Sequence, residues 1–414
     1  MRIAVSRATV GAVMRILLSE GSGLTSRQTA LRLGDLGHQV ELLSSTGVCL
    51  ARFTRHVRAV HRVPAFGVDP FAWLDAALEI AERRKVDLLF PTQEQVTVLS
   101  AQQRRLTVPT IVPPFAALRR VQDKISAYRT LQELEAPQPP TFVISGAADL
   151  VRVTSFPVFL KQPVSTASSG VRRVESPQAL AETAEAMGLG SAELIAQTQV
   201  IGPLAMIQAV ADRGRLIAFH ANLRVKEGVG GGAAIKRSVV VPGLAALLER
   251  LVARLDWHGA LSLDAILTGS GPVVIDVNPR LVEPGNALAA GVDLVGAMLD
   301  LTGSAPAPVR PPGRPGVLTH QALLAILGAA EQTGSRRAIL GEAHDALLSR
   351  GDYAGSTEEL TPLSGDPLAA VPLLAALTAT LSSPPLWRKF HSGAVGPYAV
   401  TPDAWRRIVE GAEA

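Results

Sequence analysis

Two hydrophobic periods alternate along the first 118 residues of the chain. Apolar residues at helical spacing predict amphipathic helices at 24–36 and 70–84. Short and nearly continuous apolar runs predict buried strands at 16–19, 39–43 and 86–91. Because strands and helices alternate with short connections, we predict a parallel sheet covered by helices in this part of the chain.

The N-terminus contains two candidates for the first strand, at 1–6 and at 14–19. Only the second is followed closely by a glycine turn, a helix and another strand. Residues 1–13 are therefore predicted to be an extension ahead of the domain. The turn itself, Gly21–Ser22–Gly23, is better explained by tight chain reversal than by dinucleotide binding, since one G-x-G is weak evidence.

Two polar segments of this region each allow two interpretations. Residues 52–62 interleave arginine and histidine with apolar residues, which favours a solvent-exposed helix face over an anion site. Gln93 and Glu94 follow the strand at 86–91, at the strand end where open parallel sheets bind ligands. The first turn of an ordinary helix would place the same residues there.

The most informative stretch is a predicted β-hairpin at 261–278. Its first strand contains Asp264, and its second contains Asp276 and Asn278. Residues two apart in a strand face the same side, and hairpin pairing can bring the first aspartate beside them. Buried carboxylates need partners, and Mg²⁺ prefers oxygen ligands. We therefore predict a Mg²⁺ site, with Arg280 on the same face to hold a phosphoryl oxygen; a solvent-facing polar hairpin is the alternative.

Upstream of the hairpin, two segments have the chemistry of phosphate contacts. Lys161 ends an apolar run at 156–161, so its charge must emerge from a core strand and needs an anionic partner. A loop of small residues follows, in which Ser168, Ser169 and Gly170 would let backbone N–H groups approach phosphate oxygens. Lys124, at the start of a helix predicted at 123–135, fits either a phosphate contact or an ordinary surface helix.

A third segment lies between these elements and the hairpin. The glycine-dense run at 227–233 is predicted to be a mobile loop covering the site. Lys236 and Arg237 follow this loop directly, where they could clamp a substrate or the terminal phosphate.

Taken in order, these segments resemble the ATP-grasp superfamily of carboxylate–amine ligases over roughly residues 14–305. The resemblance implies that ATP and Mg²⁺, with Mn²⁺ as an alternative ion, are the cofactors. It implies phosphate contacts from Lys124 and Lys161, adenine recognition by Gln197 and the Val200 backbone, and a metal bound by Asp264, Asp276 and Asn278. Leu204 stands where many members carry a glutamate for the ribose, and the loop at 165–170 has fewer glycines than usual.

The fold class expected from the pattern and the resemblance is α/β and α+β. A Rossmann-like pre-ATP-grasp domain is expected at 1–118, an ATP-grasp fold at 119–305, and a mostly helical C-terminal extension at 306–414. A proline-rich linker at 303–315 joins the last two. Helices near 373–381 and 403–411 are predicted in the extension, whose chemistry its residues do not reveal.

The amino-acid composition limits the classes of protein to which the chain could belong. The chain has 414 residues, of which 47% are hydrophobic and 18% charged, so a large core is feasible. A net charge of +4 without a basic block argues against nucleic-acid binding, and no apolar window of 18 residues predicts a membrane span. The single cysteine, Cys49, excludes internal disulfides and fits the reducing cytoplasm, where we expect the protein.

The expected activity is ATP-dependent activation of a carboxylate as an acyl phosphate, which an amine then attacks to give an amide and ADP. Arg280, Lys236 and Arg237 are the expected catalytic residues. The partners are small-molecule carboxylates and amines, and a homodimer is left open. Two alternatives remain: a nucleotide-binding regulatory protein with weak catalysis, favoured by Leu204, and an acyl-thiol ligase.

Overall fold

The computed structural model describes residues 13–166 and 169–413. Its strands are β1 (Arg15–Leu18), β2 (Gln39–Ser44), β3 (Val57–Arg62), β4 (Leu88–Phe90), β5 (Thr141–Ile144), β6 (Val158–Lys161), β7 (Val171–Val174), β8 (Leu194–Thr198), β9 (Leu204–Asp212), β10 (Arg215–Glu227), β11 (Ala233–Ser238), β12 (Gly259–Thr268), β13 (Gly271–Asn278), β14 (Leu318–His320) and β15 (Thr357–Glu358). Its helices are α1 (Leu24–Asp35), α2 (Pro70–Arg84), α3 (Val96–Ala101), α4 (Phe115–Gln122), α5 (Lys124–Glu133), α6 (Pro177–Ala186), α7 (Leu244–Arg254), α8 (Gly285–Ala289), α9 (Leu294–Asp300), α10 (Ala322–Thr333), α11 (Arg336–Leu347), α12 (Ala370–Ser382), α13 (Trp387–Val395) and α14 (Pro402–Glu413).

The N-terminal part folds into a four-stranded parallel sheet with the order β3-β2-β1-β4. The α/β prediction for this region is thus confirmed. The strand predicted at 14–19 is β1, while the candidate strand at 1–6 lies outside the described residues. Helix α2 begins as its sequence indicates, because the Asp69 carboxylate accepts hydrogen bonds from the backbone N–H groups of Phe71 and Ala72.

One element of this sheet differs from its prediction. Residues 57–62 form the edge strand β3, so the predicted exposed helix at 52–62 is wrong. The β-branched Val57 and Val60 favour an extended chain, and they pack against the hydrophobic core around β1. Arg58 and Arg62 are exposed on this strand, where charge protects a sheet edge from pairing with other chains.

Two further sheets build the middle of the chain. The smaller one has the antiparallel order β5-β8-β6-β7 and packs against α6. The larger has seven strands in the order β13-β12-β9-β10-β11-β14-β15. One face of the larger sheet packs against α4, α5 and α7, with Trp257 fully buried among leucine and valine side chains. The sheets and helices agree with the expected fold class.

The C-terminal residues continue the same body. Strands β14 and β15 extend the seven-stranded sheet, and the predicted helices near 373–381 and 403–411 are confirmed as α12 and α14. The proline-rich linker lies along the sheet, since Arg310 N–H donates to the carbonyl of Ile217 at 2.7 Å. The domain boundaries near 118 and 305 stay predictions. In the described ranges, no helix has both the length and the apolar composition of a membrane span.

Candidate functional site

The predicted metal hairpin is formed by β12 and β13. Asp264 and Asp276 are direct partners across the antiparallel pair, and Asn278 is the partner of Ser262. The alternation of the strand buries Val277 in the core on one side, so Asp276 and Asn278 share the other side. The structure therefore brings the three predicted oxygen ligands to one face of the hairpin.

The electrostatics of this pair favour a bound cation. Burial, and after it the charge of the neighbouring Asp276 carboxylate, raise the pKa of Asp264 to about 7, although Arg280 and Lys161 act to lower it. Neither carboxylate forms an ion pair or a side-chain hydrogen bond with any residue of the described ranges. In those ranges, no three His, Cys, Asp or Glu residues lie together in a way that could hold a metal ion. The ligands that this site offers are the two carboxylates and the Asn278 amide. This donor set suits Mg²⁺, which binds few protein ligands and retains waters or phosphate oxygens.

Lys161 emerges from the core strand β6 directly opposite the hairpin. Its Nζ donates to Gln197 Oε1 at 2.7 Å and to the carbonyl of Ile275 at 2.9 Å. Burial lowers the pKa of Lys161, while the charge of Asp276 opposes that shift. The lysine thus links the small sheet to the metal hairpin. The Gln197 oxygen accepts this bond, and its amide nitrogen donates to Thr141 Oγ1 at 3.5 Å, so the predicted adenine contact of Gln197 stays a prediction.

Lys124 reaches the same place from the start of α5. The helix is capped by Asp123, which accepts from the N–H groups of Ile125 and Ser126. Lys124 Nζ lies 3.2 Å from Ser165 Oγ, at the beginning of the small-residue loop. A narrow cleft between α5, the small sheet and β13 is lined by four of the predicted site residues, Lys124, Lys161, Gln197 and Asp276.

The other predicted nucleotide contacts lie around this cleft. Ser168 lies outside the described residues. Ser169 Oγ donates to the Thr166 carbonyl at 2.8 Å, which shapes the loop. A Cβ on Gly170 would approach the Ser165 side chain to 2.6 Å, so the loop requires glycine there. In the described part of the chain, the Val200 N–H donates no backbone hydrogen bond and is available to a ligand.

Lys236 and Arg237 are separated by the alternation of β11. Lys236 is buried, and its Nζ pairs with Glu283 Oε2 at 2.5 Å and with Glu359 Oε1 at 2.6 Å. Arg237 is exposed on the opposite side of the strand. Its catalytic role and that of Lys236 stay predictions, and the structure brings only Lys236 near the hairpin.

Arg280 joins the site to the N-terminal sheet. Its Nε donates to Glu94 Oε1 at 3.0 Å, and Gln122 Nε2 donates to the other oxygen of Glu94 at 3.3 Å. Glu94 was one of the two polar residues left open beyond the strand at 86–91. The structure shows that it positions Arg280.

The glycine-dense loop predicted as a mobile cover is packed against the C-terminal helices. A Cβ on Gly228 would lie 2.9 Å from Leu324, and one on Gly230 would lie 2.2 Å from the His391 ring. Val229 between them is buried. The glycines therefore allow close packing of this loop against α10 and α13.

Comparison with protein-family models identifies the part of the chain that contains these residues. Residues 121–284 match the family model of the ATP-grasp domain. The chain contains an ATP-grasp domain. Every predicted site residue, from Lys124 to Arg280, lies within the matched range of this domain.

Solved structures share the fold of the ATP-grasp domain and its neighbours. The carboxyaminoimidazole ribonucleotide synthase of Aspergillus clavatus, complexed with ATP, has a TM-score of 0.63 at 16% identity, over 89% of this chain and 99% of that one. The biotin carboxylase domain of Hydrogenobacter thermophilus 2-oxoglutarate carboxylase, a dimer with MgADP and bicarbonate, has a TM-score of 0.59 at 15% identity, over 74% of each chain. An L-amino acid ligase from Bacillus licheniformis has a TM-score of 0.55 at 17% identity, over 69% and 73%. A search of curated protein sequences found no match.

Three residues outside the ATP-grasp domain, Glu359, Tyr398 and Glu94, reach its site. Glu359 and Tyr398 were not predicted from the sequence, and the role of Glu94 was left open. Glu359 lies 123 positions beyond its partner Lys236, and no spacing rule connects them. Tyr398, in the C-terminal segment, also lies near Arg280. Burial raises the pKa of Tyr398, and the positive charge of Arg280 opposes that rise. The only sequence signal for Glu94 was its place after a predicted strand.

Proposed function

We propose that this protein is an ATP- and Mg²⁺-dependent ligase that activates a carboxylate as an acyl phosphate for attack by an amine. ADP and an amide are the products. The ATP-grasp domain supports the nucleotide, and similar folds occur in a synthase complexed with ATP and in an L-amino acid ligase. At these identities the solved structures support the fold, so the reaction itself rests on the geometry of the site.

The observation that carries the proposal is the direct pairing of Asp264 with Asp276 beside Lys161. Two neighbouring carboxylates repel each other when both are ionised, which is one cause of the raised pKa of Asp264, and a bound cation would relieve that repulsion. Asp264, Asp276 and Asn278 would hold Mg²⁺, which supplies charge neutralisation for the phosphates when bound. Facing positive and negative groups across one cleft suits a nucleotide triphosphate with its metal.

The remaining residues of the cleft provide positioning and charge. Lys161 is already held by Gln197 and Ile275, so its ammonium needs no reorganisation to meet a phosphate oxygen. Lys124 reaches the small-residue loop and can neutralise a second oxygen. Arg280 is fixed by Glu94 through Nε and by the Leu281 carbonyl through Nη1, so its guanidinium is held in place to steady the transferring phosphoryl group.

A nucleotide-binding regulatory protein is the second candidate, because Leu204 removes an expected ribose contact at the start of β9. Such a protein would bind Mg·ATP without substrate-dependent turnover. An acyl-thiol ligase would release ADP only when a thiol is present.

One screen separates the three. The full chain is incubated with ATP, Mg²⁺ and pairs of small carboxylates and amines, ADP is measured, and products are identified by mass. The proposal expects ADP and an amide for at least one pair. Release of AMP, dependence on a thiol, or binding without any substrate-dependent ADP contradicts it.

A further inference from the structure

The short segment that follows Arg280 lies outside the helices and strands. Strand β13 ends at Asn278 and helix α8 begins at Gly285, and residues 281–284 connect them. We call residues 280–285 the arginine segment. Such a connection keeps one conformation only through the contacts of its own backbone and side chains. Whatever fixes this segment also fixes the point from which the Arg280 side chain leaves the backbone.

Two N–H groups of the arginine segment are held by helix α1, which belongs to the N-terminal part of the chain. Glu283 N–H donates to Thr25 Oγ1 at 3.0 Å, and Gly285 N–H donates to Gln28 Oε1 at 2.8 Å. Thr25 and Gln28 are 3% and 4% exposed. Polar side chains on the buried face of a helix are costly unless they have partners. Here their partner is the backbone of the arginine segment.

The same face of α1 continues to Arg32. Residues three and four apart lie on one face of a helix, so Thr25, Gln28 and Arg32 form one row. Arg32 Nη2 donates to Asp293 Oδ2 at 2.6 Å, and Asp293 Oδ1 caps helix α9 by accepting from the Gly296 N–H at 2.8 Å. The polar row of α1 therefore follows the chain from the arginine segment to the start of α9.

The arginine segment contains a backbone conformation that is held from outside. Glu283 has a φ of 53°, in the left-handed region that residues other than glycine seldom adopt. Such a conformation persists where the surrounding structure determines it. Each polar group of Glu283 has a partner: its N–H has Thr25, its carbonyl accepts from Gln208 Nε2 at 3.4 Å, and its carboxylate pairs with Lys236 Nζ at 2.5 Å.

The Arg280 guanidinium is held by the same N-terminal part of the chain. Its Nε donates to Glu94 Oε1 at 3.0 Å, and Glu94 follows strand β4 of the four-stranded sheet. Thr25 and Gln28 lie on α1, which follows strand β1 of that sheet. One part of the chain therefore holds both the side chain of Arg280 and the backbone that follows it.

We propose that Thr25 and Gln28 are positioning residues for Arg280, through which helix α1 sets the conformation of the arginine segment. Their effect lies in the rate of the reaction that Arg280 assists, because a small displacement of a group at the reacting centre costs rate more than substrate binding. This inference rests on the proposed function. It adds that the N-terminal part of the chain acts on the reaction through the backbone of the ATP-grasp domain.

The first measurement is steady-state kinetics of the full chain, with a carboxylate and an amine that the ADP screen identifies. Thr25→Val keeps the shape of the side chain and leaves the Glu283 N–H without its acceptor. We expect kcat to fall about tenfold or more while KM for ATP changes by less than about twofold, as for the displacement of a group that acts in the transition state. Thr25→Ser keeps the hydroxyl and should retain most of kcat.

Thr29→Val is the matched control. Thr29 lies one turn further along α1, is fully buried, and its hydroxyl forms no hydrogen bond with any residue that the structure describes. The control changes the same atoms in the same helix, so kcat and KM should stay those of the original chain. If thermal melts show that Thr25→Val does not fold, Gln28→Met removes the acceptor of the Gly285 N–H instead and should lower kcat in the same way.

The second measurement needs no turnover. In a proton–nitrogen correlation NMR spectrum, the Nε–H signal of Arg280 is the arginine signal that is missing in Arg280→Lys. This group donates to Glu94, so its chemical shift reports the position of the guanidinium. We expect Thr25→Val to shift or broaden the signal and Thr29→Val to leave it unchanged.

Three results would refute the positioning role: equal kcat in Thr25→Val and Thr29→Val, a raised KM for ATP with unchanged kcat, or an Arg280 signal that Thr25→Val does not move. The two proposals fail in different ways. If no pair of substrates gives ADP, the ligase proposal fails, and the NMR measurement still decides the role of Thr25. If ADP forms and the Arg280 signal ignores Thr25→Val, the ligase proposal stands and the positioning role is wrong.

Discussion

Replacement of Lys236 by methionine tests whether this lysine is primarily a structural or a catalytic group. Lys236 is 1% exposed and contacts two carboxylates, Glu283 and Glu359, that come from different parts of the chain. Their attraction raises the pKa of Lys236 even though burial acts most strongly to lower it. Methionine keeps the length of the side chain but leaves both acids without their cation.

The expected loss is about 3–5 kcal/mol of unfolding free energy, the range for breaking a buried ion pair from one side. Urea denaturation followed by circular dichroism measures it. Arg237→Met is the matched control, because Arg237 is the next residue and is exposed; its effect should stay within about 0.5 kcal/mol.

A second variant sharpens the result. In Lys236→Met with Glu359→Leu, one of the two orphaned acids is also removed, so part of the lost stability should return. Equal stability of Lys236→Met and Arg237→Met would show that the ion pairs contribute nothing, and the structural interpretation would be wrong.

Three further outcomes are expected. Arg280→Ala should lower kcat by about 10²-fold or more with little change in ATP affinity, because charge on the transferring group develops only during the reaction. Arg250→Ala, at an exposed arginine, is the control, and an equal loss of kcat in both variants would contradict the catalytic role of Arg280. Burial lowers the pKa of His220 from 6.5, so near that pH the unfolded chain binds more protons than the folded chain. Folding stability, measured by thermal melts, should therefore fall from about pH 7 to pH 5, and it should fall less steeply in His220→Gln. Burial raises the pKa of the Cys49 thiol to about 11, so a thiol reagent at neutral pH should label it only after unfolding.

Local rules predicted much of the fold and the site. The period-two pattern of the hairpin placed Asp264, Asp276 and Asn278 together, and the register of β12 and β13 agrees with that prediction. The apolar run before Lys161 predicted a lysine that leaves a core strand to meet an anionic partner. The lysine leaves the strand as predicted and is held by two neutral oxygens, of Gln197 and Ile275, while its phosphate partner stays a prediction. These features depend on neighbours in sequence, so the sequence contains them.

What the sequence could not supply depends on distant contacts. Edge strand β3 was mistaken for a helix because its basic residues suit any exposed surface. Only its pairing with β2 shows that the segment is a strand. The loop containing Gly228 looked mobile, because the leucine and histidine that pack on it lie some distance along the chain. Likewise, the ion pairs of Lys236 join β11 to residues far along the chain, so no local pattern indicated them.

The central claim is that the β12–β13 hairpin holds Mg²⁺ for ATP. It is tested most directly by calorimetric titration of Mg·ATP into Asp276→Asn, with Asp256→Asn as control at an exposed turn position whose φ of 46° asparagine tolerates. The account predicts that Asp276→Asn binds Mg·ATP much more weakly, while the control binds it like the original chain. Unchanged Mg·ATP affinity in Asp276→Asn would contradict the metal assignment and the ligase mechanism built on it.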